Sequence, residues 1–266
     1  IFVDVTANEA VSNLYADYLR QSIAVVACNK IACASSFDNY KNLKRLALKY
    51  NAPFLFETNV GAGLPIIDTL RNLIASGDKV TSIHAVLSGS LNFVFNNFND
   101  GNKFHDIVKQ AQQEGYTEPD PRIDLSGVDV ARKILILARE SGLEMNLEDI
   151  ENKPFLTENN LNSGSVDDFF STLIADEAHF QALYKSAKDK GCQLKYVAEL
   201  NAGKAQVSLR EIPADHPFFN LKGKDNIVMF HTHRYQEQPM IIKGAGAGAD
   251  VTASGLFADI IRIGND

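Results

Sequence analysis

The densest chemistry in this chain lies between Gly115 and Lys133, GYTEPDPRIDLSGVDVARK, where Glu118, Asp120, Asp124 and Asp129 precede Lys133. Four carboxylates and one ammonium on so short a segment are costly unless something cationic, polar or reactive sits among them. Pro119 and Pro121 fix φ near about −65° on either side of Asp120, so the loop is stiff and its side chains are aimed. Ser126-Gly127-Val128-Asp129 has the form of a capping box, with Ser126 as N-cap and an acid three residues on. Asp129 and Lys133 then make an i,i+4 pair on one helix face. The apolar run Ile134–Ala138 predicts that this helix is buried, so Lys133 needs a partner or a job. The residues alone leave a plainer alternative open: a helix cap, a surface ion pair of about 0.3–0.5 kcal/mol, and a solvated acidic loop or cation site.

Further candidates lie elsewhere. Lys30 follows a predicted strand, Ile23–Ala27, and so stands at a strand carboxyl end, where α/β sheets bind ligands. Thr6 holds the same place after the first strand, Ile1–Val5. The turn Glu57–Leu64, ETNVGAGL, can expose carbonyls to a hard cation; alternatively Glu57 merely lies at a helix N-terminus. Ser88-Gly89-Ser90 lacks the spacing of a catalytic triad and reads as pocket lining. His231 and His233 share a strand face but lack a third ligand, and are read as packing. Gly244–Ala249 fits only a loose form of the dinucleotide fingerprint and no βαβ unit follows it. It predicts a close backbone approach instead.

The elements that must position these groups follow from hydrophobic period. Strand, helix (Ala10–Leu19), strand, helix (Ser36–Tyr50) and strand (Pro53–Phe56) within about 57 residues have the rhythm of a parallel sheet. Next come a helix at 64–76, a strand at Lys79–Leu87, and helices at Asn92–Phe98 and Phe104–Glu114. The signature helix ends near Gly142. Two helices, Val166–Leu173 and Glu177–Lys190, lie in the polar stretch that follows. Strands at Leu194–Leu200, Ala205–Ile212, Ile227–His233 and Met240–Lys243 precede a last helix, Asp250–Arg262. The predicted fold is α/β and α+β: a partial Rossmann-like parallel sheet plus a domain with a mixed sheet covered by helices.

The 266 residues carry a net charge of −7 and 45% apolar side chains, which suits a globular protein and argues against nucleic acid or an anionic membrane as partner. No apolar run reaches the roughly 18 residues of a membrane span. Cys28, Cys33 and Cys192, odd in number and without metal spacing, are expected to be reduced thiols in a cytoplasmic protein.

The string GYTEPDPR…DLSG.DVARK resembles the signature of homoserine dehydrogenases. Matches run along nearly the whole chain: DVTA at the start, Asn29-Lys30, ETNVGAGLPI at 57–66, LSGSLNFVF at 87–95 and GAGAGADVTASGLFAD at 244–259. The chain is most similar to the C-terminal part of bifunctional aspartokinase–homoserine dehydrogenases. The resemblance implies reversible NAD(P)H-dependent reduction of aspartate 4-semialdehyde to homoserine. It implies that Lys133 transfers a proton or stabilises the alkoxide, supported by Asp124 and Asp129, and that Glu118, Asp129 and Lys30 hold substrate. Thr6, Lys30 and Gly248 match cofactor-contacting positions. Glu57 and the carbonyls of Val60, Ala62 and Leu64 match a monovalent cation site, for sodium. A second lysine is common in the family where Ile31 stands. The resemblance further implies a homodimer paired through the mixed sheet.

It also implies a division at 1–60 and 247–266 for the nucleotide-binding part and 61–246 for the catalytic and dimerisation part. No GxGxxG turn precedes Ile1, so the expectation is a fragment whose remaining nucleotide-binding half lies upstream. The NAD-versus-NADP selector would lie there too. The competing expectation is a non-catalytic dimerising or regulatory piece that keeps the substrate pocket but lacks the dinucleotide site.

Overall fold

The computed structural model describes residues 1–265 and contains two sheets. The first is parallel, ordered β1 (Phe2–Asp4), β2 (Val25–Ala27), β3 (Phe54–Leu55). Between these strands run α1 (Glu9–Ser12), α2 (Tyr15–Arg20), α3 (Ile31–Ala34) and α4 (Phe37–Lys49). The expected first helix is thus two short ones, broken at Asn13-Leu14, because apolar spacing does not register a break in the backbone ladder. The turn after β2, left as a connection by the sequence, forms α3. Ser36 caps α4, accepting from the Asn39 amide, as a serine before an amphipathic run should.

The chain then crosses through α5 (Ile66–Ala75) to a six-stranded mixed sheet, order β5-β7-β6-β4-β8-β9. Its strands are β4 (Val80–Val86), β5 (Glu151–Lys153), β6 (Gln193–Asn201), β7 (Lys204–Ile212), β8 (Asp225–Thr232) and β9 (Met240–Ala245). All neighbours are antiparallel except β5 with β7. The edge strand β5 and the short α10 (Glu158–Leu161) lie in the polar stretch where only α11 (Val166–Ala175) and α12 (Glu177–Asp189) were expected. Three exposed polar residues carry no alternating signature. β8 stops at Thr232, so His233 lies beyond the strand, and His231 meets His84 edge to face.

Between β4 and β5 come α6 (Gly89–Asn97), α7 (Phe104–Gln113), α8 (Pro121–Leu125) and α9 (Val128–Glu140). Helix α9 is the spine of the molecule: Ile134 to Ala138 are all fully buried. It packs on β6 and β7 on one side and on α3 and α5 on the other, which joins the two sheets in one apolar core. The last helix, α13 (Ala249–Asn265), returns to the parallel sheet. A Cβ at Gly255 would meet Thr58 Cγ2 at 2.6 Å, and one at Gly63 would meet the Val251 carbonyl at 2.4 Å. The helix therefore lies directly against the 57–64 turn. The Asp259 carboxylate accepts from the Glu57 amide at 3.1 Å, and Arg262 pairs with Asp68.

Candidate functional site

At the start of α9 one carboxylate serves two ammoniums. Lys133 Nζ lies 2.8 Å from Asp129 Oδ2, and Lys30 Nζ lies 3.5 Å from Asp129 Oδ1. Lys133 also donates to the Leu87 carbonyl at 2.7 Å. Its side chain is 13% exposed, so the ammonium is largely withdrawn from solvent. Burial alone would push the Asp129 carboxyl up; the ammoniums of Lys133 and Lys30 override that and hold it well below the usual carboxylate range. The Asp129 side chain keeps 42% exposure, so water screens the pairing and the carboxylate remains open to a ligand.

The capping box expected at Ser126 does not form. The N-cap of α9 is Gly127, at φ 74°, without a side-chain cap. Ser126 closes α8 instead and donates to the Ile123 carbonyl. This frees Asp129, which in a capping box would have turned back to the backbone, to face Lys133.

The rest of the acidic loop divides. Asp124 is anchored by the Ser90 hydroxyl at 2.9 Å and the Glu118 amide at 2.8 Å, which tie α8 to the start of α6. Glu118 contributes that amide, and its own side chain is exposed. Asp120 belongs elsewhere: it caps α8 and grips Arg122, whose guanidinium draws its carboxyl downward together with the Arg122 amide.

Lys30 reaches Asp129 from the first sheet. A buried network holds the carboxyl ends of β1 and β2. Asp4 accepts from the Thr6 amide at 2.8 Å, from Asn29 Nδ2 at 3.0 Å and from the Tyr15 hydroxyl. Burial pushes the Asp4 carboxyl up, but these donors outweigh it and leave it lowered. Asn29 Oδ1 accepts from the Ile31 amide and so sets the start of α3 beside Lys30. Thr6 and Lys30 therefore both follow the carboxyl ends of the adjacent strands β1 and β2, the side on which α/β sheets bind ligands. Gly248, exposed at the start of α13, has only Val251 Cγ2 within 4 Å of a built Cβ, so the backbone there is open to close approach.

In the 57–64 turn the Glu57 carboxylate accepts from the Ile67 and Asp68 amides, both at 2.7 Å, which gives it a helix-capping role at α5. The Ile66 amide takes the Leu64 carbonyl at 2.8 Å. Burial, with Asp68 and Asp259 nearby, raises the Glu57 carboxyl to about 7 despite the two amides. Thr58 Oγ1 is buried without a partner. An excess of buried carboxylate and an orphaned hydroxyl fit a small cation bound by oxygen. Among the described residues no group of three His, Cys, Asp or Glu side chains forms a metal cluster.

Two residues after β4 shape the site. Ser90, expected to line the pocket, holds Asp124 through its hydroxyl, and the Leu87 carbonyl, which its residue type does not mark, holds Lys133. Concavities of about 430 and 350 Å³ open along β4, β6 and β7, but contain none of the site residues.

A parallel sheet joined through Lys30 to a lysine–aspartate pair on a second, mixed-sheet unit defines an α/β protein of two parts with charged groups where they meet. Residues 65–261 match the homoserine dehydrogenase family model. The chain is 44% identical, over 99% of its length, to bifunctional aspartokinase/homoserine dehydrogenase 2, chloroplastic, of Zea mays, of which it spans 29%. It is 39% identical to the homoserine dehydrogenase of Schizosaccharomyces pombe, covering 99% of this chain and 72% of that one. It is also similar to a hyperthermophilic archaeal homoserine dehydrogenase solved in complex with NADPH, with a TM-score of 0.76 and 28% identity, covering 98% of this chain and 70% of that one. The chain belongs to the homoserine dehydrogenase family.

Proposed function

We propose that this chain performs the homoserine dehydrogenase reaction, the reversible NAD(P)H-dependent reduction of L-aspartate 4-semialdehyde to L-homoserine in threonine and methionine synthesis. The observation that carries this reading is the Lys133 ammonium, oriented by the Leu87 carbonyl and Asp129, with Lys30 on the same carboxylate. A lysine has three donors. Two are engaged, and the third is available to the aldehyde oxygen, where it stabilises the developing alkoxide and delivers the proton. Hydride for the aldehyde carbon is what NAD(P)H supplies when bound. Asp129 and Glu118 hold the substrate's polar groups, and Asp124, fixed by Ser90, stands near the reacting end. Lys30 lies between substrate and cofactor, with Thr6 and Gly248 on the cofactor side.

In the same reading, residues 1–60 with 247–266 form the nucleotide-binding part and 61–246 the catalytic and dimerisation part. A sodium ion is held by Glu57 and the carbonyls of Val60, Ala62 and Leu64, supported by the surplus of buried carboxylate there. A homodimer forms through the six-stranded sheet, on the face carrying His84, Glu199, Met229 and Ile241. The three free thiols suit a reducing compartment, and we assign the cytoplasm. No helix of the described residues is long and apolar enough to cross a membrane.

The test is a spectrophotometric assay of the folded chain with aspartate semialdehyde and NADPH, following loss of nicotinamide absorbance. Steady oxidation is expected, and Lys133→Ala should lower kcat by about 10²- to 10³-fold with the melting temperature unchanged. Undiminished turnover in Lys133→Ala refutes its role. No oxidation by the chain, with turnover in a longer version, places the chemistry here and the cofactor seat outside these residues.

A further inference from the structure

The contact between Lys30 and Asp129 joins two parts of the molecule, so something must fix its length. Lys30 is the N-cap residue of α3, a four-residue helix with no side-chain cap. The other end of α3 is gripped by one side chain. Arg139, on α9 six residues beyond Lys133, donates from Nη1 to the Cys33 carbonyl at 2.7 Å and from Nη2 to the Ser35 carbonyl at 2.7 Å. Its Nε donates to the Met145 carbonyl at 2.9 Å, and Nη2 also reaches Asn146 Oδ1 at 3.3 Å. The residue is 4% exposed, and its guanidinium lies 5.2 Å from the Tyr40 ring centroid and 5.7 Å from that of Phe37. Burial lowers the Arg139 pKa, only partly opposed by Tyr40, Cys33 and Glu148, and its hydrogen-bond partners among the described residues are carbonyl and amide oxygens. A buried guanidinium satisfied by carbonyls is costly as a stability device. Its planar fork fits two carbonyls leaving the end of a short helix.

We infer that Arg139 is a positioning residue that acts through Lys30. By clamping the carbonyl end of α3 to α9, it sets the Lys30 ammonium on Asp129 and so at the boundary between the two ligands. Docking of the two parts does not depend on it alone. The neighbouring Glu140 independently joins α4, α5 and α9 through Lys44 at 3.0 Å, Arg71 at 2.6 Å and the Tyr40 hydroxyl. The consequence for catalysis rests on the proposed dehydrogenase reading; the consequence for Lys30 does not.

The first test therefore needs no turnover. Lysine acylation by acetic anhydride, followed by peptide mass spectrometry, should show Lys30 reacting several-fold faster in Arg139→Gln than in the parent, with Lys49 unchanged. Arg139→Lys, which keeps the charge but loses the fork, serves if Arg139→Gln does not fold, and should give the same direction. An unchanged Lys30 rate in a folded variant overturns the proposal. The second test is a double-mutant cycle on kcat/KM. Arg139→Gln should cost about 10- to 100-fold alone and less than about twofold in a Lys30→Ala background. Equal losses in both backgrounds overturn the action through Lys30. A parent inactive both as this chain and in a longer version refutes the dehydrogenase reading and leaves the labelling result to decide the positioning role.

Discussion

Replacing Gly127 by alanine isolates what the entrance to α9 requires. Gly127 sits at φ 74°, and a Cβ there would lie 2.0 Å from Tyr196 Oη and 2.7 Å from its Cζ. Gly142, just past the other end of the same helix, has φ 91° and nothing within 4 Å of a built Cβ. Both substitutions carry the left-handed backbone penalty of about 1–2 kcal/mol. Only Gly127→Ala must also displace a buried ring whose hydroxyl donates to Asn152 Oδ1 at 3.0 Å. Overpacking adds about 1–3 kcal/mol, and the loosened hydrogen bond about 1 kcal/mol. Gly127→Ala should therefore lose about 3–6 kcal/mol against about 1–2 kcal/mol for Gly142→Ala. Urea unfolding of both variants, with m-values checked for constancy, gives the difference. A Tyr196→Phe background removes the 2.0 Å contact but leaves the one at 2.7 Å, so it should restore only part of the gap. Equal losses at the two glycines would refute the claim that Tyr196 fixes the start of α9.

Glu140→Ala should cost about 3 kcal/mol in urea unfolding, the low end for a broken buried pair, because Lys44 keeps 37% and Arg71 25% side-chain exposure. A loss below about 1 kcal/mol would sink the idea that this cluster docks α4 and α5 on α9. Lys195 is fully buried, donates to Asn92, Asn96 and the Leu221 carbonyl, and is pushed down to about 8 by burial. Because the unfolded lysine binds its proton more tightly than the folded one, stability should rise with pH from about 8 to about 10.5, by about 3 kcal/mol. The Lys195→Met variant should lack that rise, and a persisting slope in unfolding curves taken across the window would exclude Lys195 as its source.

Residue type and spacing determined a good deal by themselves. The Asp129–Lys133 pair follows from an i,i+4 spacing on a helix whose burial is written in Ile134–Ala138, and the structure reproduces both. The parallel sheet, and the mixed sheet except β5, followed from short apolar or strand-patterned runs separated by helical runs or turns, signals that depend only on near neighbours. Tertiary structure decided what depends on residues far apart in sequence. Lys30 and Asp129 are 99 positions apart, and only the docking of α3 on α9 brings the Lys30 ammonium to the carboxylate that Lys133 also contacts. Ser126 has the residue type of a cap, yet the turn closing α8 takes it and leaves Gly127 at the cap. Glu57 is adjacent in sequence to a carbonyl-rich turn, but its oxygens face the amides of α5, and burial first, then Asp68 and Asp259, raises its carboxyl. Arg139 shows the limit most directly. In sequence it is a charge at the tail of an apolar helix, and its meaning lies in the carbonyls of Cys33 and Ser35, which no local period encodes. Local pattern fixes the elements and the faces they bury; the partners of buried charges are fixed by packing between those faces, because only there is water excluded and each polar group required to find another.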